Sequence, residues 1–189
     1  MLCTTRRRVI IGIDPGLAGG VAALGGTGSQ DVLKTWRMPV VEDSSGREID
    51  TKAFKDILGE IYLNFGLIEL AVMEKVSARP SQGTKCSPKQ GSRGTFVFGG
   101  AYYTVRGMLR LFNVPRVYIP PQTWKSNVLV GCKNKDKADT IRFLQDRYPG
   151  INLLATPRSK VPHDGIADAI CLAIYGWNSQ QTPQKSQAE

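Results

Sequence analysis

Four carboxylates stand where a small α/β fold would bring them to one point. Asp14 and Glu74 each end an apolar run that is typical of a buried strand. Asp164 and Asp168 lie four residues apart at the start of an apolar helical stretch, so they share one face of that helix. Acids at strand ends, together with a pair of acids on a helix, indicate a site for divalent metal ions.

Phosphodiester hydrolysis is a reaction that such a site would serve. It needs a nucleophilic water and a stabilised leaving alkoxide, and two Mg²⁺ ions held by carboxylates provide both. We expect Asp14 to bridge the two ions and Glu74 to hold one of them. We expect Asp164 and Asp168 to hold the other. Mn²⁺ is the alternative metal.

Each of these acids also has a structural interpretation. Asp14 precedes Pro15 and suits a turn, Glu74 suits a surface position at a strand end, and Asp164 suits a helix cap. Asp168 is the hardest to explain structurally, because its apolar neighbours predict burial and a buried acid needs a partner.

The charge of the chain favours a polyanionic partner. Its 189 residues carry a formal net charge of +9 with a pI near 9.6, and they are enough for one domain with a sizeable core. No Asp or Glu occurs from Lys75 to Lys135, although this stretch contains eleven Lys and Arg residues. A basic surface beside Glu74 fits binding to a phosphate backbone. The alternative is a basic protein that is merely soluble.

The candidate DNA-binding residues lie mainly in a long polar loop, residues 77–94, and in later basic segments. They are Lys75, Arg79, Gln82, Lys85, Lys89, Arg93, Lys125, Lys133, Lys135, Arg158 and Lys160. Four aromatic residues are candidates for stacking on bases, with core packing or a subunit interface as the alternative: Phe96, Phe98, Tyr102 and Tyr103.

The four cysteines lack metal-ligand or redox spacing, which together with a single histidine argues against zinc and indicates a reducing, intracellular compartment. No apolar run has the length of a membrane span. We expect a basic segment over residues 1–8, one domain over 9–177 and a disordered polar tail over 178–189.

Hydrophobic periodicity predicts strands over 9–14, 21–24, 31–38, 68–74 and 116–119, with the first three in an antiparallel meander. It predicts helices over 51–65, with Thr51 as N-cap, and over 96–112, 135–148 and 165–177. This order indicates an α/β protein with a ribonuclease-H-like fold, a mixed five-stranded sheet flanked by helices.

Four segments, in this order, resemble the motifs of RuvC-type Holliday-junction resolvases. They are 11–16 (IGIDPG), 72–76 (VMEKV), the stretch from Lys125 to Lys137, and 163–169 (HDGIADA). The resemblance spans about residues 9–175. The first segment alone is also similar to the opening of actin-like ATPases and sugar kinases. That class needs two domains and a second glycine-rich phosphate loop, which this short chain lacks.

The resemblance implies a metal-dependent endonuclease that resolves four-way DNA junctions by paired symmetric nicks. It also implies a homodimer with helix 96–112 at the interface. Lys125 and Lys137 are expected to neutralise phosphate charge, with ordinary surface lysines as the alternative. His163 is expected to position water or contact the scissile phosphate, with a loop histidine without a role as the alternative.

Some features depart from the bacterial pattern. The last two acids are four residues apart instead of three, which makes His163 a competitor for the fourth position of the site. The long loop after Glu74 and the basic residues 6–8 are similar to the plant chloroplast branch, which implies the chloroplast stroma. Two other functions stay open: a catalytically silent protein that binds branched DNA, and a nuclease that acts on RNA–DNA hybrids.

Overall fold

The predicted order of strands and helices recurs in the computed structural model, which describes residues 8–26, 31–44, 46–76 and 92–181. The strands are β1 (Arg8–Asp14), β2 (Gly20–Gly26), β3 (Asp31–Arg37), β4 (Val40–Asp43), β5 (Gly46–Ile49), β6 (Ile68–Glu74) and β7 (Arg116–Ile119). The helices are α1 (Thr51–Asn64), α2 (Ser92–Leu111), α3 (Pro121–Val128), α4 (Lys137–Arg147) and α5 (Asp164–Gln181).

Five strands form one mixed sheet in the order β3-β2-β1-β6-β7. The first three pair antiparallel, as the short connections predict, whereas β6 runs parallel to β1 and β7 runs parallel to β6. Strand β1 is therefore central, which explains why it reads as a continuous apolar run with both faces buried. The predicted five-stranded sheet is confirmed.

Helices cover both faces of this sheet. Alternate residues of β1 point to opposite sides, so that Ile11 packs with Phe54 of α1 and Leu109 of α2 in one core cluster. Ile10 belongs to the second cluster, which holds residues of α3, α4 and α5, among them Ile170. The sheet is thus the middle of three layers.

Two elements were not predicted. The hairpin of β4 and β5 forms a separate two-stranded sheet, and its residues are mostly polar and exposed, so they carry no apolar pattern. Helix α3 begins where Pro120-Pro121 suggested only the end of a strand. Proline suits the first helical position because its missing N–H has no partner to lose there.

Several predicted boundaries were wrong by a few residues. Asp50 is the N-cap of α1 in place of Thr51, because its carboxylate accepts the N–H of Ala53 at 2.9 Å. Strand β1 already starts at Arg8, inside the predicted basic segment. Helix α5 continues past 178 into the predicted tail, where the Arg8 guanidinium donates to the Gln180 side chain. Residues 1–7 and 182–189 lie outside the described residues.

None of the helices in the described part of the chain combines the length and hydropathy of a membrane span. Two of the four cysteines fall within the described residues, and both Cys132 and Cys171 carry free thiols.

Helix α5 lies directly on β1 because Gly12 has no side chain. A Cβ atom there would stand 1.9 Å from the carbonyl oxygen of Ala169 and 2.5 Å from the backbone nitrogen of Ala173. Both contacts are to helix backbone, so a larger residue could be accommodated only by moving α5 away from the sheet.

We expect Gly12→Ala to lower the free energy of unfolding by more than about 3 kcal/mol, since the overpacking meets backbone atoms on both sides. Urea unfolding followed by circular dichroism measures the change. The matched control is Gly59→Ala in α1, where an added Cβ meets nothing within 4 Å. That substitution should raise stability by about 0.5–1 kcal/mol through helix propensity. A Gly12→Ala protein as stable as the wild type would contradict the close approach of α5.

Candidate active site

Asp14 and Glu74 lie side by side at one edge of the sheet. They end two adjacent parallel strands, and the residues before them, Ile13 and Met73, are paired in register. Carboxyl ends of parallel strands meet at the same edge, which is where open α/β sheets place their ligands. Both side chains are partly buried.

Glycine contacts bring the start of α5 to this same edge. A Cβ at Gly165 would stand 2.5 Å from the carbonyl oxygen of Ala18 and 2.6 Å from the Cα of Gly19. A Cβ at Gly20 would stand 2.9 Å from the carbonyl oxygen of Gly165. The backbones of the β1–β2 turn and of α5 therefore touch, and this contact sets Asp164 and Asp168 beside Asp14.

His163 caps the amino end of α5. Its Nδ1 accepts the N–H of Ile166 at 3.2 Å, and its carbonyl oxygen accepts the N–H of Ala167 at 3.1 Å. An accepting Nδ1 belongs to a neutral imidazole with its proton on Nε2. Burial lowers the pKa of His163 against the opposing charge of Asp164, and the charge of Arg37 adds to the decrease. Capping of this helix was the structural interpretation of Asp164. The side chain of His163 provides such a cap, so His163 has a structural role.

Burial, with the charges of neighbouring acids, raises the pKa values of Asp14 and Asp168 at this edge. Burial lifts the pKa of Asp14 to about 6 against the opposing hydrogen bond from the N–H of Gly16, and the charges of Glu74 and Asp164 add to the rise. Burial lifts the pKa of Asp168 to about 7, with Lys125 opposing and the other three acids adding. The structure thus brings all four predicted acids within electrostatic reach of one another.

Glu74 is held by a tryptophan. The Nε1–H of Trp124 donates to Glu74 Oε2 at 2.9 Å. Burial raises the pKa of Glu74, while this hydrogen bond and the charge of Lys125 lower it. The Nζ of Lys125 lies 5.2 Å from the centroid of the Trp124 ring. Helix α3 therefore presents two consecutive residues, Trp124 and Lys125, to the site.

Asp164 forms an ion pair with Lys137, the first residue of α4. The pair lowers the pKa of Asp164 and raises that of Lys137. Both side chains keep substantial exposure to solvent, so the pair is weak and exchangeable. It leaves one of the four acids neutralised, and among the described residues the other three form no ion pair of their own.

The donor chemistry of this site fits a hard divalent cation, because carboxylate oxygens are the ligands that Mg²⁺ prefers. A cation would also relieve the mutual repulsion that raises the pKa values of Asp14 and Asp168. Within the described ranges, however, no three His, Cys, Asp or Glu side chains are grouped closely enough to hold a metal ion. Asp164 is engaged by Lys137, so metal binding calls for a local rearrangement of that pair.

The candidate DNA-binding residues are only partly described. Lys75 is exposed just after β6, and Arg93 is exposed in the first turn of α2, where it lines a groove with Leu17 and Phe98. Exposed or partly buried positions in loops beside α4 and α5 are taken by Lys133, Lys135, Arg158 and Lys160. Four residues lie outside the described residues: Arg79, Gln82, Lys85 and Lys89.

The four candidate aromatic residues divide between core and surface. Tyr102 is buried in the α1–α2 side of the core, as its structural interpretation predicts. Phe98 is partly buried near the β1–β2 turn, where a Cβ at Gly16 would stand 3.7 Å from its ring. Phe96 and Tyr103 are 82% and 65% exposed, so they are available for stacking or for an interface.

Sequence reasoning missed two residues of this site. The position of Trp124 directly before Lys125 could have indicated a place near the site. Its hydrogen bond to Glu74 could not have been predicted, because it joins residues fifty positions apart and leaves no local pattern in the sequence. Arg37 ends β3, and its charge lowers the pKa of His163 although the two residues are distant in sequence.

We expect Asp168→Asn to stabilise the metal-free protein at neutral to alkaline pH. The pKa of this carboxyl is about 7 in the folded protein against an ordinary value of 3.8. Its unfavourable contribution is therefore absent below the lower pKa, grows as pH rises between the two, and is complete above the higher one. Urea unfolding in EDTA at about pH 8 should show a gain of about 1–3 kcal/mol, and at about pH 4 almost none.

The control for this measurement is Asp146→Asn, on an exposed position of α4. It should leave stability within about 0.5 kcal/mol of the wild type at both pH values. An Asp168→Asn gain that is the same at both pH values, or a loss at the higher one, would contradict the buried, charged environment of Asp168.

No protein-family model and no curated protein matches this chain. Solved structures do match. The chain is similar to Thermus thermophilus RuvC in complex with a Holliday junction substrate, with 16% identity, a TM-score of 0.58, and coverage of 88% of this chain and 91% of that one. It is similar to a second structure of Thermus thermophilus RuvC at 17% identity, with a TM-score of 0.51 and coverage of 91% and 95%.

A third similar structure is the yeast mitochondrial Holliday junction resolvase Ydc2, with 12% identity, a TM-score of 0.47, and coverage of 90% of this chain and 79% of that one. The two bacterial structures establish the fold. The chain has the ribonuclease-H-like fold of RuvC, and the predicted resemblance is confirmed at that level.

Proposed function

We propose that this protein is a metal-dependent endonuclease that cuts four-way DNA junctions by paired symmetric nicks. The observation that carries the proposal is the convergence of four acids at one edge of a RuvC-like sheet, in a strongly basic chain. Thermus thermophilus RuvC has been solved with a Holliday junction substrate. That likeness supports a DNA junction as the substrate here.

The acids have distinct tasks in this proposal. Asp14, Glu74, Asp164 and Asp168 hold two Mg²⁺ ions, with Mn²⁺ as the alternative, and the ions supply a nucleophilic water and stabilise the leaving alkoxide. His163 keeps Nδ1 on the helix cap. Only its Nε2–H is then free to orient the water or a phosphate oxygen, and burial lowers the pKa of the ring against the opposing charge of Asp164.

Lys137 is the residue whose partner changes when the substrate arrives. In the structure its ammonium neutralises Asp164. A scissile phosphate offers Lys137 another anion, and once Lys137 turns to it the carboxylate of Asp164 becomes available as a ligand. Lys125 stays beside Glu74 and Asp168, where it offsets part of their charge.

The basic residues bind the phosphate backbone of the arms. A contact set of Lys and Arg releases condensed counterions, so junction affinity falls steeply as salt concentration rises. The exposed or partly buried basic residues follow β6, begin α2 or lie in the loops beside α4 and α5: Lys75, Arg93, Lys133, Lys135, Arg158 and Lys160.

The exposed face of α2 supports a homodimer. Phe96, Gly100, Tyr103, Gly107 and Leu111 follow one another at helical spacing, and the three larger residues are 65–82% exposed. Cβ atoms added at the two glycines would meet nothing within 4 Å. Glycine inside a helix lowers the stability of that helix. Close approach of a second helix would explain why glycine occupies these two positions. A two-fold dimer matches two active sites to a junction with near two-fold symmetry.

One observation favours a catalytically silent junction-binding protein as a second candidate. The described residues contain no group of acids already arranged for a metal ion. The arrangement of the acids nevertheless argues for catalysis: Asp14, Glu74 and Asp168 lie close to one another, and Asp164 is held by Lys137 in an ion pair that can exchange. A protein that only binds DNA gains nothing from burying carboxylates next to a polyanion.

The direct test is cleavage of a labelled synthetic four-way junction, beside a linear duplex and an RNA–DNA hybrid, with Mg²⁺, Mn²⁺ or EDTA. We expect paired nicks at symmetric positions in the junction only, in the presence of metal. Asp14→Asn should abolish cleavage and retain junction binding, because it removes a candidate metal ligand and leaves every basic residue in place. The loss of rate should be about 100-fold or more.

The outcomes separate the candidates. Binding of the junction without cleavage in any metal would support the silent binding protein. Cleavage of the hybrid alone would support a ribonuclease. Asp146→Asn on the exposed face of α4 is the control, and it should cut as the wild type does.

We expect Gly100→Gln to weaken dimerisation by about tenfold or more, because the added side chain blocks the close approach of a second helix. The same substitution should stabilise the monomer by about 0.3–1 kcal/mol, because glutamine has a higher helix propensity than glycine. Sedimentation equilibrium measures the first effect and urea unfolding the second. Gly59→Gln places the same side chain in similar open space on α1 and should leave the dimer intact. A wild-type protein that is monomeric at micromolar concentration, with or without a junction, would contradict the dimer.

A further inference from the structure

Trp124 is the largest fully buried side chain of the described residues, and its one polar atom points at the site. The Nε1–H donates to Glu74 Oε2 at 2.9 Å. This is a charge-assisted hydrogen bond when Glu74 is ionised, and such bonds are stronger than those between neutral groups. Packing of the indole in the core allows it few orientations, so the donor is fixed in space.

The backbone on both sides of this contact is also fixed. Glu74 pairs in register with Ile119 of β7, and the N–H of Lys75 donates to the carbonyl oxygen of Ile119 at 2.8 Å. Pro120 then starts α3, which places Trp124 one helical turn later. The strand pairing sets the Cα of Glu74, and the indole sets its carboxylate.

The need to satisfy a buried indole N–H does not by itself explain this contact. Trp177 is also buried, and among the described residues its Nε1 has no hydrogen-bond partner. The fold therefore tolerates one buried indole N–H without a hydrogen-bond partner, at a cost of about 1–3 kcal/mol. A partly buried carboxylate is a costlier partner than a backbone carbonyl, so its presence at Trp124 points to a use for the carboxylate.

We propose that Trp124 is a positioning residue for Glu74: its N–H holds one carboxylate oxygen so that the other is presented to the site with its orientation already set. This inference rests on the proposed metal-dependent function. A free glutamate has three side-chain torsions to fix when it binds an ion, and an outer hydrogen bond fixes them beforehand. Outer contacts of this kind typically change metal affinity or activity by about 10- to 100-fold.

The first measurement tests the contact without any metal. Indole N–H signals of the three tryptophans are resolved by ¹⁵N–¹H NMR. Glu74→Ala should shift the Trp124 signal and speed its exchange with solvent, and it should leave the Trp177 signal in place. Trp36 supplies an internal standard, because its Nε1–H donates to Glu60 at 3.2 Å and should respond to Glu60→Ala alone. A Trp124 signal that ignores Glu74→Ala would overturn the proposal.

The second measurement tests the consequence. Trp124→Phe and Trp177→Phe each remove a buried indole N–H and the same atoms, but only the first removes a donor to Glu74. We expect Trp124→Phe to weaken Mg²⁺ binding, measured by calorimetry, by about tenfold or more and to slow single-turnover junction cleavage at limiting Mg²⁺. Junction affinity in EDTA should be unchanged in both variants. Trp177→Phe should bind Mg²⁺ and cleave as the wild type does.

A third variant separates hydrogen bonding from packing. Replacement of Trp124 by 3-benzothienylalanine keeps the shape of the indole and removes its N–H, so it should reproduce the weaker Mg²⁺ binding without the instability that a smaller ring causes. Wild-type Mg²⁺ affinity in this variant would overturn the positioning role while leaving the proposed nuclease intact. A wild-type protein that binds no Mg²⁺ and cuts no junction would instead remove the proposed function, and the positioning role with it.

Discussion

The contact between the backbones of α5 and β1 is the constraint on which the site depends. At Gly12 the helix lies so close to the central strand that no Cβ fits, and at Gly165 it touches the β1–β2 turn in the same way. Two contacts along one helix fix both its distance from the sheet and its rotation. With the helix fixed, Asp164 and Asp168 have no freedom to move away from Asp14.

This packing sets the electrostatics as well. Side chains that crowd at one sheet edge lose water, and burial is the leading cause of the raised pKa values of Asp14 and Asp168. The fold therefore carries an unfavourable charge arrangement that its apolar core must offset. Lys125 and Lys137 relieve it only in part, and both are placed by helices that pack against or pair with α5. Strain of this kind is typical of a functional site and uncommon elsewhere.

Most of the fold could be predicted from the sequence because its central strands are buried on both sides and its helices show one apolar face. Strands β6 and β7 were predicted to the residue. What escaped prediction has no local periodicity: α3 starts at a proline pair, and the link from Trp124 to Glu74 joins two distant segments. The acids themselves were predictable because Asp14, Glu74 and Asp164 each end or begin an element and Asp168 follows Asp164 by one helical turn. Their present partners, Lys137 and Trp124, follow only from the three-dimensional packing.

The four acids are not equivalent in the structure, and the difference suggests how the proposed site works. Glu74 and Asp164 each have a side-chain donor, whereas Asp14, which accepts the backbone N–H of Gly16, and Asp168 bear the repulsion without a direct ion pair among the described residues. A cation gains most where charge is least compensated. Under the proposed function, an incoming cation would therefore gain most at Asp14 and Asp168. Glu74 would be oriented beforehand by Trp124, and Asp164 would be released for metal binding when a phosphate takes Lys137. Assembly of the site is in this way coupled to the arrival of DNA.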